Sequence, residues 1–241
     1  MLVKNSTEVL SDKATLIART REIILEKIES ALKSKDICTI ALSGGSTPKP
    51  LYESLATCDL PWQKIHIFWG DERYVPADHV DSNQFMTRQV WLNRISIPDA
   101  NIHPMPTDGM SPEQDALTHE EELKSFFKVL PKEFPPFDII ILGMGDDGHT
   151  ASLFPNTDVL KETKKLVSVG NKSGQPRLTF TVPLINQAKC VLFLVSGANK
   201  KEVLGKVFAS DEDSYLYPAR LIQPQGELRW LIDEAAGELL K

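Results

Sequence analysis

No run of apolar residues in this sequence approaches the ~20 needed to cross a bilayer, which excludes a transmembrane helix. The opening segment MLVKNSTEVL has no long apolar stretch behind a basic start, so no signal peptide is expected. Cysteine is scarce. The three present, Cys38, Cys58 and Cys190, are scattered singly without CxxC spacing, which argues against a disulfide framework or a structural zinc site and for a reducing cytoplasm. Cys38 and Cys190 sit in apolar runs and are read as small core residues. Basic residues are outnumbered, 27 Lys and Arg against 33 Asp and Glu for a net charge of -6, and they form no cluster. That excludes an extended polyanion such as duplex nucleic acid. It leaves open a small anion held by a few converging donors. Several signatures are also missing: in the segment SGGSTPKP no GK[ST] closes a Walker loop and the GxGxxG spacing of a dinucleotide fold is lacking, and no GxSxG or HExxH is present in the chain.

What remains is ordinary globular composition, 41% hydrophobic and 25% charged over 241 residues, long enough to bury a real core. Leu10, Ala14, Ile17, Ile24, Ile28 and Ala31 recur at helical steps and predict a helix over Ser11–Ser34. Short β-branched runs predict buried strands at Asp36–Leu42, Lys64–Trp69 and Phe137–Gly143, and later at 166–169, 177–182, 190–197 and 228–233. Helices are expected at Asn83–Arg94, from a Ser111 cap with Pro112 as first residue to about Leu130, at Asn199–Phe208 and at Asp233–Leu240. No repeat or linker interrupts the pattern, so residues 1–241 are expected to form a single Rossmann-like α/β domain, a mostly parallel sheet flanked by helices.

Such sheets bind ligands beyond the carboxyl ends of their strands, and there the polar, glycine-bearing segments fall. In SGGSTP, between a strand and a helix, Gly44 and Gly45 let the backbone approach an anion, and Ser43 and Ser46 add donors. A glycine turn with a Ser/Thr cap reads equally well there. In GDERYVP, Arg73 can grip a phosphate or carboxylate with paired donors, and Asp71 can bind sugar hydroxyls. A solvated charged loop is the alternative. GMGDDGHTASLFP is the richest segment. A histidine in a glycine loop after a buried strand, His149, suits a general base near neutral pH. Asp147 can fix its tautomer. A metal held by Asp146, Asp147 and His149 would need further ligands that the sequence does not offer, so none is expected. Lys200, in SGANK, and Arg177, at the start of RLTFTVPLI, are candidate cations for an anionic group. His66, His79, His103 and His119 have no comparable setting.

Taken together, SGGSTP, GDERYVP with SNQ downstream, GMGDDGHTASLFP, PRLTFTVPLI, SGANK and the terminal WLIDEAA resemble the 6-phosphogluconolactonases of the glucosamine-6-phosphate isomerase/6-phosphogluconolactonase family, from Ala41 to Ala236. The resemblance implies hydrolysis of 6-phospho-D-glucono-1,5-lactone to 6-phospho-D-gluconate, the second step of the oxidative pentose phosphate pathway. His149 and Asp147 would be catalytic. Ser43, Gly44, Gly45, Ser46, Asp71, Arg73, Arg177 and Lys200 would hold the substrate and its phosphate. No cofactor is implied, the partner is the small sugar phosphate alone, and a monomer is favoured. The related deaminases carry a glutamate shortly after DGH, in a phrase like FNEP. Here Phe154 stands at that position and cannot transfer a proton.

Overall fold

The computed structural model describes residues 5–130 and 132–240. Residues 1–4, 131 and 241 lie outside the described residues, and with them the first four residues of MLVKNSTEVL and both ends of the expected 1–241 domain. The chain runs β1 (Asn5–Leu10), α1 (Lys13–Ser34), β2 (Cys38–Leu42), α2 (Lys49–Leu55), β3 (Ile65–Trp69), β4 (Asp71–Arg73), α3 (Asn83–Val90), β5 (Ile102–His103), α4 (Pro112–Phe127), β6 (Ile139–Leu142), β7 (Val167–Lys172), β8 (Gln175–Phe180), α5 (Val182–Asn186), β9 (Cys190–Val195), α6 (Lys201–Phe208) and β10 (Glu227–Asp233). Seven strands form one parallel sheet in the order β1-β10-β9-β6-β2-β3-β5. The remaining three make a small antiparallel sheet, β4-β8-β7.

Continuous apolar runs suit strands covered on both faces, because alternate side chains enter different cores. On β6, Ile139 and Ile141 join α1 and α2 in one core, through residues such as Ile24 and Leu51. Ile140 and Leu142 join α4, α5 and the small sheet in the other, with Leu123, Leu184 and Leu178. Each such side chain withdrawn from water contributes about 1.5–3 kcal/mol. Helix starts follow local chemistry: Asp12 accepts from the Thr15 N–H at 2.7 Å to cap α1, and Ser111 accepts from Gln114 N–H at 3.2 Å ahead of Pro112 in α4. Cys38 and Cys190 are buried core residues, as expected.

Several elements differ from the sequence reading, and β4, β5 and α5 were absent from it. β1 was absent from it, since NSTEVL pairs through its backbone at the sheet edge and leaves Thr7 and Val9 exposed. The helix expected over Asn83–Arg94 stops at Val90, where the Trp91 backbone leaves helical geometry and its indole stacks on Tyr52 at 5.6 Å. The strands near 166–169 and 177–182 exist, but lie outside the parallel sheet: they pair with each other, and the second also pairs with Asp71–Arg73. Asp233–Leu240 is not an α-helix. Asp233 ends β10 with its carboxylate bound to Gly197 N–H, Ser196 Oγ and Ala236 N–H, and only a short 3-10 turn at Glu238–Leu240 follows.

The topology fixes where a ligand can sit. From β2 the chain moves outward through β3 to β5, then returns to lay β6 on the other side of β2. The connections leaving β2 and β6 therefore part, and a crevice opens at this switch point.

Candidate active site

Four adjacent strands, β9, β6, β2 and β3, deliver SGANK, GMGDDGH, SGGSTP and GDER to the same end of the sheet. Between them lies a cleft of about 360 Å³. Its lining includes Ser43, Gly44, Gly45, Ser46, Asp71, Arg73, His149, Arg177 and Lys200, so nine of the ten residues singled out from the sequence line one cavity. The tenth, Asp147, stands behind His149.

The histidine loop is built by its glycines. Gly145 N–H donates to the His149 carbonyl at 2.8 Å, closing the loop. A Cβ at Gly145 would fall 2.0 Å from His149 Nδ1, so only glycine leaves room for the ring. Asp147 Oδ1 accepts from the His149 backbone N–H at 3.0 Å and lies 2.5 Å from Nδ1. With Nδ1 held as the donor, Nε2 carries the lone pair. Burial alone would raise the Asp147 carboxyl, but the hydrogen bonds from His149 prevail and hold it down to about 2. The imidazole also packs on the ring of Phe154 at 4.5 Å between centroids.

The same cleft is lined by two arginines. Arg73 on β4 and Arg177 on β8 are direct cross-strand partners, so their side chains rise from the same face of the small sheet. Neither forms an ion pair among the described residues. Arg73 Nη1 donates to the Asp81 carbonyl at 2.5 Å, and the Nε atoms of both arginines are buried without a partner. Burial and the neighbouring Arg73 charge push the Arg177 guanidinium below its usual value. An anion placed between two such cations would relieve their repulsion. Lys200 differs: its ammonium is paired with Asp146, which also accepts from Asn199 Nδ2.

Asp71 and Glu72 are buried rather than part of a solvated loop. Asp71 accepts from Ser152 Oγ at 2.7 Å. Glu72 is the end of α3's wiring: it accepts from the N–H groups of Asn83 and Gln84 and from Ser82 Oγ, as well as its neighbour's N–H. Burial nonetheless pushes its carboxyl up. In SGGSTP, Gly45 has φ +102°, and a Cβ on Gly44 would overlap the Asn83 carboxamide at 1.7 Å. Both glycines are thus required by geometry. Ser152 and Asp233, which fasten Asp71 and the SGANK loop, were given no role from the sequence. Their partners lie 81 and 37 residues away, and no local spacing announces such contacts. No group of three or more His, Cys, Asp or Glu among the described residues is placed to hold a metal ion. No helix of the described residues is long and apolar enough to cross a membrane.

The fold and cleft together define an α/β protein with a histidine–aspartate pair and a pair of arginines at one cleft beside a sheet switch point. The family model of glucosamine-6-phosphate isomerases/6-phosphogluconolactonase matches residues 11–230, and the chain belongs to that family. It is 59% identical to a 6-phosphogluconolactonase of Synechocystis sp. over 97% of this chain and 98% of the relative. It is 55% identical to one of Nostoc sp. over 98% of each. The solved 6-phosphogluconolactonase of Trypanosoma brucei superposes with a TM-score of 0.84 at 34% identity, covering 99% of both chains.

Proposed function

We propose that this chain is a 6-phosphogluconolactonase, hydrolysing 6-phospho-D-glucono-1,5-lactone to 6-phospho-D-gluconate in the oxidative pentose phosphate pathway. It would do so as a cytoplasmic monomer whose residues form one domain. The observation that carries this reading is a histidine locked at Nδ1 by Asp147 and sharing a cleft with two arginines that lack carboxylate partners.

In this mechanism, Nε2 of His149 takes a proton from water as the water oxygen bonds to C1 of the lactone. The carbonyl π electrons move to oxygen, giving a tetrahedral oxyanion. Collapse re-forms the carbonyl and expels the ring oxygen, which takes the proton back from His149. Asp147, ionised throughout the neutral range, orients the ring and stabilises the transient imidazolium. The phosphate lies against Ser43–Ser46 with Arg73 and Arg177, and Lys200 stands at the rim with Asp146. Holding the phosphate fixes C1 near the base, so binding energy from a non-reacting group lowers the barrier. No cofactor enters.

Phe154 supports hydrolysis over the deaminating chemistry of the same family, since the position beside His149 holds an apolar ring and no proton donor. The test is a side-by-side assay of purified protein. Acid release from fresh 6-phosphogluconolactone should exceed the spontaneous rate, with no ammonia from glucosamine 6-phosphate. Ammonia release at a comparable rate would overturn the assignment.

A further inference from the structure

The small sheet carries one more cation than the family motifs name. Its β7–β8 hairpin turns through Ser173 (φ +53°) and Gly174 (φ +87°), a two-residue turn with both positions left-handed, as a tight hairpin of the I′ type requires. Asn171 Oδ1 accepts from Gly174 N–H at 2.7 Å and fastens the tip. Lys172 sits immediately before this turn. Register pairs Lys172 with Gln175, Gly170 with Arg177, and Arg177 with Arg73. Residues two apart on a strand and residues directly opposite share a face, so Lys172 rises from the same face of the sheet as both arginines. The opposite face, bearing Val167, Val169, Leu178 and Phe180, is turned into the core.

The Lys172 ammonium lies 5.9 Å from the centroid of the Phe154 ring, and the Arg177 guanidinium lies 5.6 Å from the same ring. That ring also supports His149 at 4.5 Å. One aromatic ring therefore borders the imidazole, in a tilted contact, and lies within cation–π reach of both Lys172 and Arg177. Lys172 is exposed and forms no ion pair among the described residues. Of the carboxylates near the cleft, Asp146 is taken by Lys200 and Asn199, Asp147 by His149, and Asp71 by Ser152. Asp71, Asp81 and Glu72 act on Arg177 only through space, and among the described residues no carboxylate forms an ion pair with Arg73, Arg177 or Lys172.

Resting on the sugar-phosphate reading of the cleft, we infer that Lys172 is a third cation of the phosphate site, closing from the hairpin tip over the anion held by Arg73 and Arg177. A long stem on a rigid turn suits an outer contact, made after the substrate enters. Being exposed, it is worth less than a buried guanidinium.

The experiment measures kcat and KM for 6-phosphogluconolactone and for plain gluconolactone in wild type, Lys172→Met, Lys172→Glu and Lys172→Arg. The Met variant keeps the length of the side chain without its charge, and the exposed position spares the fold. The inference predicts a fall of roughly 3–10-fold in kcat/KM for the phosphorylated lactone in Lys172→Met, mostly in KM. Lys172→Glu should fall further, Lys172→Arg should stay near wild type, and the plain lactone should be unaffected by all three. Inorganic phosphate should inhibit Lys172→Met more weakly than wild type. If wild type prefers the phosphorylated lactone but Lys172→Met equals it, the role of Lys172 is overturned and the cleft reading stands. If wild type shows no preference, both fall.

Discussion

Single side chains here are held by neighbours that set their chemistry. Asp147 orients one tautomer of His149, and an amide in its place can no longer stabilise an imidazolium. Asp147→Asn should therefore lower kcat by on the order of 10²-fold with KM nearly unchanged, since Asp147 has no contact with the phosphate end. Steady-state kinetics on the folded variant check this, and a loss confined to KM would contradict it. A second cluster behaves differently. His66 Nδ1 lies 3.0 Å from His103 Nε2, and His103 and His119 both reach Glu122 through Nδ1, at 2.9 and 3.0 Å. One set of proton positions fits these three contacts: Glu122 accepts twice, and His66 donates to His103, while His119 Nε2 is buried without a partner among the described residues. Burial, with the neighbouring His103, pushes His66 down to about 4 from 6.5. A depressed histidine favours the neutral form in the folded state. Its stabilisation is complete above about pH 6.5 and is lost as pH falls through about 4. Allowing for solvent screening, this is worth on the order of 1–2 kcal/mol. Urea midpoints at pH 7 and 4.5 should converge for wild type and His66→Gln on acidification, and parallel pH profiles would refute the assignment.

Among elements, β4 and β8 matter most, because their pairing brings residues 73 and 177 side by side. Arg73→Ala and Arg177→Ala should each lower kcat/KM for the phosphorylated lactone by about 2–4 kcal/mol in barrier terms, the range for a charged contact in a largely desolvated site. Turnover of plain gluconolactone should change much less, and equal losses on both substrates would make these arginines structural or catalytic instead. This pairing also marks the limit of what the sequence shows. The four loops of the cleft were legible because each follows a buried apolar strand directly, and carboxyl-end convergence is a rule of parallel sheets. The partnership of DER with PRLTF was not, since antiparallel pairing across a hundred residues leaves no periodic trace. β1 escaped because an edge strand held by backbone bonds needs no alternation. The terminal segment looked helical until Asp233 proved committed to the SGANK loop. The His66–His103–Glu122–His119 chain is likewise assembled from separate elements, which is why those histidines had no visible setting.

For the molecule as a whole, a net charge of -6 coexists with a cleft that gathers cations. Carboxylates elsewhere carry the surplus, while local pairing decides the field where a ligand would bind. The two cores on either side of the parallel sheet hold the four loops in register, so the fold itself does not depend on the histidine. The most direct measurement of the account follows from that independence: pH-stat hydrolysis of freshly prepared 6-phosphogluconolactone by wild type and His149→Ala. The account predicts strong acceleration by wild type over the spontaneous reaction. It also predicts a kcat roughly 10²–10⁴-fold lower in the variant, at similar KM and with an unchanged circular dichroism spectrum and melting temperature. A folded His149→Ala protein that turns over the lactone at the wild-type rate would contradict it.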